Sequence, residues 1–299
     1  MTRPCPHCQN AAEPFLQAGD LNQKVGGAVF EYFRCPHCGV VYLDPIPPDL
    51  SRYYQSDYPP YRISAEQLPA MSEAARWRVD FVKRFVAKGR VLEIGPSYGG
   101  FAYQATQAGF EVDVIEMDRE CCDFIGRNIP GVTAINTGDV VEGLARLQRK
   151  YECIALWHNI EHLPDPWTVV DRLAQALKPG GVLVISTPNP DSYQFRIFGK
   201  HWLHLDAPRH LVLIPPAVLS RFVGQRGLEQ MHFTTTDPDS LAISRSGWDE
   251  SRHHVLRGHS WLSRLVMKRL YRILAGIVRP FERRNQRGGA YTAVYRAKS

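Results

Sequence analysis

Short apolar runs alternate with amphipathic stretches between residues 90 and 190. The apolar runs predict strands at residues 90–94, 111–115, 132–135, 153–157 and 181–186. In the stretches between them apolar residues recur every three to four positions, which predicts helices. Strands that alternate with helices are typical of a mainly parallel sheet with helices on both faces. We therefore predict an α/β fold built on a doubly wound, mostly parallel sheet.

Periodic patterns also flank this region. Helical periodicity predicts a lead-in helix within residues 64–87 and a longer amphipathic helix at residues 259–284. A final apolar run at residues 290–296 predicts an antiparallel strand that completes the sheet.

The helix predicted at residues 259–284 is basic. Residues 251–299 contain 12 Lys and Arg residues and one acid, Glu282, although the whole chain carries a net charge of only +6. Such a segregated charge favours a local contact with an anionic partner. Two interpretations stay open: the apolar stripe packs on the domain while the arginines face solvent, or the helix attaches to an anionic membrane that carries a lipid-linked substrate.

Two Cys-Pro-His-Cys sequences near the N-terminus predict a metal site with four ligands: Cys5, Cys8, Cys35 and Cys38. Two thiolate pairs, each presented by a tight turn, fit one tetrahedral zinc ion. With strand-like runs at residues 28–33 and 40–43, residues 1–45 are predicted to form a zinc ribbon. Four thiolates leave no open position, so we predict a structural ion; a catalytic or nucleic-acid-reading zinc is the disfavoured alternative. Residues 46–88, a linker with the lead-in helix, either cap the active site of the main domain (residues 89–299) or only connect to it.

A glycine-rich turn follows the first strand of the main domain and contains Gly95, Pro96, Ser97, Tyr98 and Gly99. Glycine lets a ligand approach the backbone, and the next helix offers free N–H groups to an anionic group. Glu116 ends the second strand, where a carboxylate can accept hydrogen bonds from ribose hydroxyls. A dinucleotide would fit a similar turn, but Ser97 replaces the second glycine of that fingerprint and Glu93 precedes the first.

Residues 92–99 resemble motif I of the class I S-adenosylmethionine-dependent methyltransferases, and residues 154–166 and 177–186 resemble later motifs of that family. The resemblance implies a seven-stranded Rossmann-like sheet and S-adenosylmethionine as cofactor. It implies that Glu93 and the glycine-rich turn serve the methionine and ribose end, that Glu116 holds the ribose, and that Asp139 holds the adenine amine. It places three further residues at the cofactor: Met117, Val140 and Trp157. An equal alternative for Asp139 is that it caps a helix.

Polar residues follow the fourth predicted strand, at the edge where open α/β sheets place ligands: His158, Glu161 and His162. We predict Glu161 and His162 as a general-base pair, with His158 as a further candidate. The alternative is that Glu161 and His162 cap or bridge the helix predicted to start near Asp165.

A second histidine cluster lies in the substrate loop predicted at residues 190–215. Its run from His201 to Leu211 resembles a segment of zinc-ribbon methyltransferases found near bacterial surface-polysaccharide and secondary-metabolite genes. We predict substrate binding or acid–base chemistry for His204 and His210. A metal site formed by His201, His204, Asp206 and His210 is a weaker alternative, because His-x-x-His spacing on an irregular loop is a weak signal.

The predicted function is methyl transfer to a small-molecule or glycan acceptor, with O-methylation by a histidine base ahead of C-methylation of a sugar nucleotide. An NAD-type oxidoreductase would need a nicotinamide site that no motif supplies. Nucleic-acid binding by a zinc ribbon on a methyltransferase-like body lacks a basic patch with interleaved aromatics. The sequence contains no run near the roughly 20 apolar residues of a membrane span and no signal-peptide core, so we expect a cytoplasmic protein, in which residues 259–284 would make any contact with the inner membrane face. The sequence predicts no oligomeric state.

Overall fold

The N-terminal strands form a small antiparallel sheet around the two cysteine pairs. They are β1 (Arg3–Pro4), β2 (Ala11–Gly19), β3 (Val29–Arg34) and β4 (Val41–Leu43), and a 3-10 turn at Ser51–Tyr53 follows. The strands predicted at residues 28–33 and 40–43 are found within one residue of their expected positions. The computed structural model describes residues 2–54, 63–257 and 260–298. Residues 55–62 of the predicted linker and His259 of the predicted basic helix lie outside the described residues.

The lead-in region is helical, as its periodicity predicts, but it is divided. It forms α1 (Leu68–Ser72), a 3-10 turn at Glu73–Ala75 and α2 (Arg76–Lys83). Helix α2 buries Val79, Phe81 and Val82 in the same apolar cluster as the first strand of the main sheet. This packing fixes the helix beside the site described below.

Strands and helices then alternate along the chain. They are β5 (Arg90–Ile94), α3 (Gly100–Gln107), β6 (Glu111–Glu116), α4 (Arg119–Asn128), β7 (Thr133–Asn136), α5 (Val140–Leu147), β8 (Tyr151–Trp157), α6 (Pro166–Ala176), β9 (Leu177–Pro188), α7 (Tyr193–Phe198), β10 (Val212–Leu213), α8 (Pro216–Gly224), β11 (Leu228–Thr234), α9 (Pro238–Leu256), α10 (Trp261–Arg284) and β12 (Ala290–Ala297).

Seven strands form one sheet in the order β11-β12-β9-β8-β5-β6-β7. The five strands from β9 to β7 are parallel, and β12 runs antiparallel between β9 and β11. Helices α6 and α8 cover one face through Leu173 and Leu219, and helices α3 and α4 cover the other through Phe101 and Ile125. Strands covered on both faces become almost continuously apolar, as in β8 and β9. The predicted doubly wound, mostly parallel seven-stranded sheet is therefore confirmed.

The N-terminal sheet is completed by a strand from the main domain. Strand β10 pairs antiparallel with β4, which gives a five-stranded sheet in the order β1-β2-β3-β4-β10. The segment predicted as a substrate loop at residues 190–215 thus contains a helix, two 3-10 turns and this strand. Cys5, Cys35 and Val40 also share one apolar cluster with the main sheet. The ribbon and the main domain are joined by both a sheet and a core.

Helix α10 carries its apolar stripe on the outside. The exposed fractions are 69% for Trp261, 49% for Leu265 and 61% for Ile273. The helix packs instead through a different side, where Ala275 is buried and the buried carboxylate of Glu282 accepts hydrogen bonds from Gln194 and Trp248. The interpretation that the apolar stripe packs on the domain is therefore wrong, because these buried polar contacts fix the rotation of the helix. Among the helices of the described ranges, none is both long enough and apolar enough to cross a membrane.

Candidate active site

The glycine-rich turn lies between β5 and α3 and requires residues without a side chain at two positions. Gly95 and Gly99 have φ angles of +67° and +86°, in the left-handed region that glycine adopts without strain. A Cβ at Gly95 would overlap the side-chain amide of Asn159, and one at Gly99 would come within 2.8 Å of Ile125. Ser97 is also left-handed, at +55°. The turn therefore presents main-chain groups at close range, beside an N-terminus of α3 that has no side-chain cap.

Two acidic residues flank this turn. Glu93 is 2% exposed, and its Oε2 has no hydrogen-bond partner among the described residues. Burial raises the pKa of Glu93 to about 8, with Arg78 acting against the shift and Glu116 adding to it. The Glu116 oxygens accept the N–H groups of Ser97 at 2.9 Å and Asp118 at 2.8 Å, while burial raises the pKa of Glu116 to about 6 against these bonds. A carboxylate has about four lone-pair sites, so Glu116 can hold the turn and still accept hydrogen bonds from a ligand.

Three of the residues predicted at the cofactor, Met117, Asp139 and Val140, lie past β6 and β7. Met117 is 64% exposed, and Val140 is buried. Asp139 is the N-cap of α5, where its Oδ1 accepts the N–H groups of Val141 at 2.8 Å and Glu142 at 3.2 Å. The structure thus shows the capping role that was the alternative for Asp139, and it leaves the predicted adenine contact as a hypothesis.

The end of β8 faces the same turn. The Trp157 ring is buried against Trp77, with ring centroids 5.6 Å apart, and the Arg78 guanidinium lies 5.2 Å from the Trp157 centroid. His158 adopts a left-handed φ of +53°, a strained conformation for a non-glycine residue. Within the described ranges, four buried polar atoms here have no hydrogen-bond partner: Ser97 Oγ, Trp157 Nε1, His158 Nε2 and Asn159 Oδ1. Buried polar atoms are almost always paired, so this concentration marks the place of a ligand.

Arg78 of α2 is a functional candidate that the sequence did not reveal. Its guanidinium pairs with Asp239 at 2.7 Å, at the first turn of α9, and its charge acts on both Glu93 and His158. The sequence predicts only that residues 46–88 cap the active site or connect to it, and one arginine in a helical pattern carries no further signal. Its role follows from the tertiary packing of α2.

The predicted general-base residues form one cluster, in which Glu161 and His210 are buried and His158 and His162 are half-buried. Glu161 is 1% exposed; its Oε2 accepts the Thr187 hydroxyl at 3.0 Å, and its Oε1 lies 3.9 Å from His158 Nδ1 and 4.0 Å from His210 Nε2. The rings of His162 and His210 stand edge to face, with centroids 4.7 Å apart. The structure therefore brings together residues that are far apart in the sequence. Asp165 caps α6, which begins at Pro166 as predicted.

Burial determines the charge of this cluster. It lowers the pKa of His158 and His162 and lowers that of His210 to about 3, while it raises the pKa of Glu161 to about 8. The Nδ1 atoms of His162 and His210 lie 3.0 Å and 2.9 Å from backbone carbonyl oxygens. A neutral imidazole that donates from Nδ1 keeps a lone pair on Nε2. Both rings can therefore accept a proton or bind a cation.

The other polar residues of the 190–215 segment have different partners. His204 Nε2 lies 2.9 Å from the carbonyl of Ile243 in α9, and burial lowers the pKa of His204 to about 4. Asp206 pairs with the buried guanidinium of Arg209, which also pairs with Asp20 at 2.9 Å. The weaker alternative of a metal site at His201, His204, Asp206 and His210 is thus not supported: His210 Nε2 lies 3.9 Å from Asp206, but the four residues do not form a compact set of ligand atoms.

The four N-terminal cysteines form a compact thiol cluster. The Sγ distances are 3.6 Å for Cys5–Cys38, 3.5 Å for Cys8–Cys35 and 3.7 Å for Cys8–Cys38. Tetrahedral zinc with Zn–S bonds of about 2.3 Å would set its sulfur atoms about 3.8 Å apart, so the donor set fits this ion. His7 instead packs against Trp167 of α6, with ring centroids 4.3 Å apart and ring planes tilted by 37°. The first cysteine turn therefore also anchors the ribbon to the main domain.

Comparisons with known proteins identify the family. A family profile described as a methyltransferase domain matches residues 65–232, more than half of the chain. The ubiquinone biosynthesis O-methyltransferase of Bordetella avium (strain 197N) is 33% identical over 150 residues, which cover 47% of this chain and 62% of that protein. The protein of the same name from Pectobacterium atrosepticum is 29% identical over 154 residues, covering 48% of this chain and 64% of that one. The chain thus spans less than two-thirds of the length of these relatives.

Solved structures match the fold. A protein from Galdieria sulphuraria assigned as a sarcosine dimethylglycine methyltransferase aligns with a TM-score of 0.50 and 17% identity, over 80% of this chain and 91% of that chain. The [4+2]-cyclase SpnF aligns equally well at 15% identity, over 76% of this chain and 82% of its own. Since one fold carries both names, these likenesses show architecture only. The profile match, which includes the Gly95 turn, Glu116 and residues 158–162, shows that the chain belongs to the methyltransferase-domain family.

Proposed function

We propose that this enzyme transfers the methyl group of S-adenosylmethionine to a hydroxyl oxygen of a small molecule or glycan. The cluster of neutral imidazoles around Glu161 carries the proposal. His158, His162 and His210 lie at the carboxyl edge of the sheet, and Asn159, the neighbour of His158, contacts Gly95 of the turn. A neutral imidazole accepts the proton that a hydroxyl must lose. The two relatives named O-methyltransferases support an oxygen acceptor.

The turn and its flanking acids supply the cofactor site in this proposal. S-adenosylmethionine brings a methyl group on a positively charged sulfur, which becomes a neutral thioether after transfer. Glu116 accepts hydrogen bonds from the ribose hydroxyls, and Asp139, Met117 and Val140 line the adenine end. Glu93 lies beneath the turn, and the Arg78 guanidinium pairs with the carboxylate of the methionine portion. Orienting the sulfonium is the main task of these residues, because the leaving group is already activated.

The acceptor binds at the mouth formed by His158, His162 and residues 190–215. As its oxygen bonds to the methyl carbon, the carbon–sulfur bond breaks and its electron pair stays on sulfur. His158 takes the acceptor proton on Nε2, which is buried without a partner in the described part of the chain and adjoins Asn159 at the turn. His162, the first candidate from the sequence, is anchored by the Arg209 carbonyl and contributes the opposite wall.

A methyl-transfer assay on a panel of phenolic and carbohydrate hydroxyl acceptors tests the proposal. His158→Ala should lower turnover about 10²- to 10⁴-fold, the usual contribution of a positioned base, while the affinity for S-adenosylhomocysteine stays the same. Raising the pH should partly restore the rate, because solvent then removes the proton. His253→Ala on the exposed side of α9 is the matched control. Full turnover in His158→Ala, or product methylated on carbon, would contradict the proposal.

We also propose that Cys5, Cys8, Cys35 and Cys38 hold a structural zinc ion. The sulfur spacing and the four-thiolate donor set support it. The site is closed, so the ion would stabilise the ribbon and take no part in methyl transfer.

A further inference from the structure

The Glu161 cluster has the geometry of a second metal site. One carboxylate oxygen of Glu161 and one ring nitrogen each of His162 and His210 all lie within 4.8 Å of one another. Two imidazoles and one carboxylate are a common ligand set for divalent transition metals, and three protein ligands leave positions open for substrate. This set is separate from the cysteine cluster and contains only nitrogen and oxygen donors.

Hydrogen bonds fix the orientation of these three side chains. His210 Nδ1 lies 2.9 Å from the carbonyl oxygen of His204, and His162 Nδ1 lies 3.0 Å from both the carbonyl oxygen of Arg209 and the hydroxyl of Tyr54. When each ring donates from Nδ1 to its carbonyl oxygen, the lone pair on Nε2 is left for a ligand. Thr187 donates to Glu161 Oε2 and fixes the carboxylate plane. Metal-bound histidines and carboxylates are usually held in this way by hydrogen bonds to their second polar atom.

The remaining oxygen of Glu161 needs a partner. Glu161 is 1% exposed, and its Oε1 has no hydrogen bond to any part of the chain that the structure describes. A bound cation would satisfy this buried carboxylate oxygen, which lies 4.0 Å from Nε2 of His210.

We propose that Glu161, His162 and His210 bind a divalent transition-metal ion, and that the hydroxyl oxygen of the methyl acceptor coordinates to it. The catalytic half of this inference rests on the proposed function. Coordination would hold the acceptor oxygen next to the turn and favour its deprotonated form, with the proton passing to His158. His162 and His210 then act as ligands, and His158 remains the base.

Binding of Mn²⁺, followed by electron paramagnetic resonance, tests the site without any methyl-transfer assay. Mn²⁺ prefers oxygen and nitrogen donors, so it leaves the zinc-loaded cysteine cluster in place. Wild-type protein should bind one Mn²⁺ ion, and Glu161→Gln should abolish that binding. Thr187→Val, which keeps all three ligands, should weaken it about 10- to 100-fold. His253→Ala should bind like wild type.

Two results would overturn the inference: equal Mn²⁺ binding in wild type and Glu161→Gln, or no binding by folded wild type. Undiminished methyl transfer after dialysis against a chelator, with the zinc still bound, would overturn the catalytic half. Mn²⁺ binding without transfer to any hydroxyl acceptor would support the ion site and count against the proposed function.

A different observation carries a second inference, on the outer face of α10. Eight apolar residues stand 49% to 69% exposed along the helix: Trp261, Leu262, Leu265, Val266, Leu270, Ile273, Ile277 and Phe281. We call them the α10 stripe. Soluble proteins rarely leave so many large apolar side chains exposed on one element. Basic residues accompany the stripe, namely Arg264, Lys268, Arg269, Arg272, Arg279, Arg283 and Arg284.

We infer that the α10 stripe attaches the enzyme to an anionic lipid surface. An apolar face flanked by basic residues inserts at the boundary between headgroups and acyl chains, where negative headgroups attract the arginines. Self-association through the same face is disfavoured, because two strongly basic helices would be brought together. The net charge of the last 49 residues, 12 basic against one acidic, fits an anionic partner.

Vesicle co-sedimentation tests this second inference. The protein should bind vesicles of phosphatidylglycerol and phosphatidylcholine, bind pure phosphatidylcholine at least tenfold less, and dissociate at high salt. Replacing Leu265, Leu270 and Ile273 by serine should abolish binding without lowering the melting temperature, since the three side chains are exposed. Met231→Ser, at an exposed apolar residue of β11, is the control. Equal vesicle binding by wild type and the triple variant would overturn the inference of membrane attachment. So would light scattering that shows a dimer formed through the α10 stripe, in protein that does not bind lipid.

Discussion

Glu116 links strand β6 to the cofactor turn through two backbone N–H groups, and in the proposed complex it also accepts the ribose hydroxyls. Glu116→Gln should lower the affinity for S-adenosylhomocysteine by about 1–3 kcal/mol, the range for hydrogen bonds to a charged group. Titration calorimetry would measure the change. Glu111→Gln, at the exposed start of the same strand, should bind like wild type, and unchanged affinity in Glu116→Gln would remove this residue from the site.

Glu93 makes the stability of the ligand-free protein depend on pH. Burial raises its pKa from 4.5 to about 8, so folding favours the protonated form. That contribution is fully present below pH 4.5 and is lost as the pH rises towards 8, because the unfolded chain then binds fewer protons. The glutamine of the Glu93→Gln variant does not titrate. The free energy of unfolding of the variant, relative to that of wild type, should therefore increase from pH 4.5 to about 8 and then stay constant. Thermal unfolding of both proteins at a series of pH values would measure this change. A stability difference between variant and wild type that does not vary with pH would contradict the raised pKa of Glu93.

Among single residues, the sequence predicts the site positions of those that belong to a motif. Glu93, Gly95 and Glu116 stand at fixed places around strand ends, and the parallel sheet brings those ends together. Arg78 and Thr187 could not be found in this way, because their roles arise only when distant elements pack.

Among the elements, the cysteine turns and strand β4 link the proposed zinc site to the active site. If the ribbon and the main domain were independent units, loss of one thiolate would leave the cofactor site intact. The pairing of β4 with β10 changes this expectation, because β10 begins two residues after His210. Cys35→Ser should therefore lower turnover strongly and the melting temperature with it, while the affinity for S-adenosylhomocysteine falls less.

Metal analysis, calorimetry and the methyl-transfer assay together check this prediction. Protein prepared without added metal should contain about one zinc per chain, matching a single four-thiolate site. Cys122→Ser, at a buried thiol in α4 outside the cluster, controls for the loss of a thiol alone. Wild-type turnover in a zinc-free Cys35→Ser protein would show that the ribbon does not support the active site.

The main-sheet strands follow from periodicity because each buries a continuous apolar run between two helical layers. Strand β10 has two residues and no pattern to read, and it is positioned only by its partner β4. Helix α10 shows another limit: amphipathicity defines two faces but does not say which one meets the protein. The hydrogen bonds to the buried Glu282 carboxylate fix the rotation of α10 about its axis.

For the whole molecule, one buried ion pair connects the N-terminal region to the main domain. Arg209 is 2% exposed and contacts Asp20, Asp206 and the carbonyl of Tyr53. Asp20→Asn should destabilise the protein by about 3–5 kcal/mol, the range for removing one partner of a buried pair. Because Asp206 still neutralises Arg209, we expect the lower end of that range.

Urea denaturation would measure this loss, with Glu13→Gln on the exposed side of β2 as the control. A surface change of this kind is usually within about 0.5 kcal/mol of wild type. Equal urea midpoints for Asp20→Asn and Glu13→Gln would mean that the Asp20–Arg209 ion pair adds no net stability.

The sheet shared by the ribbon and β10 limits how the gene for this protein can recombine during evolution. Exchange of the first 45 codons alone would leave β10 as an unpaired edge and would remove the Tyr32 hydroxyl that donates to the carbonyl of His210. Unpaired edges invite aggregation, so such hybrids would be selected against. The N-terminal ribbon and residues 190–215 should therefore be inherited together, and a chimera that takes both from one parent should fold where a chimera that mixes them fails.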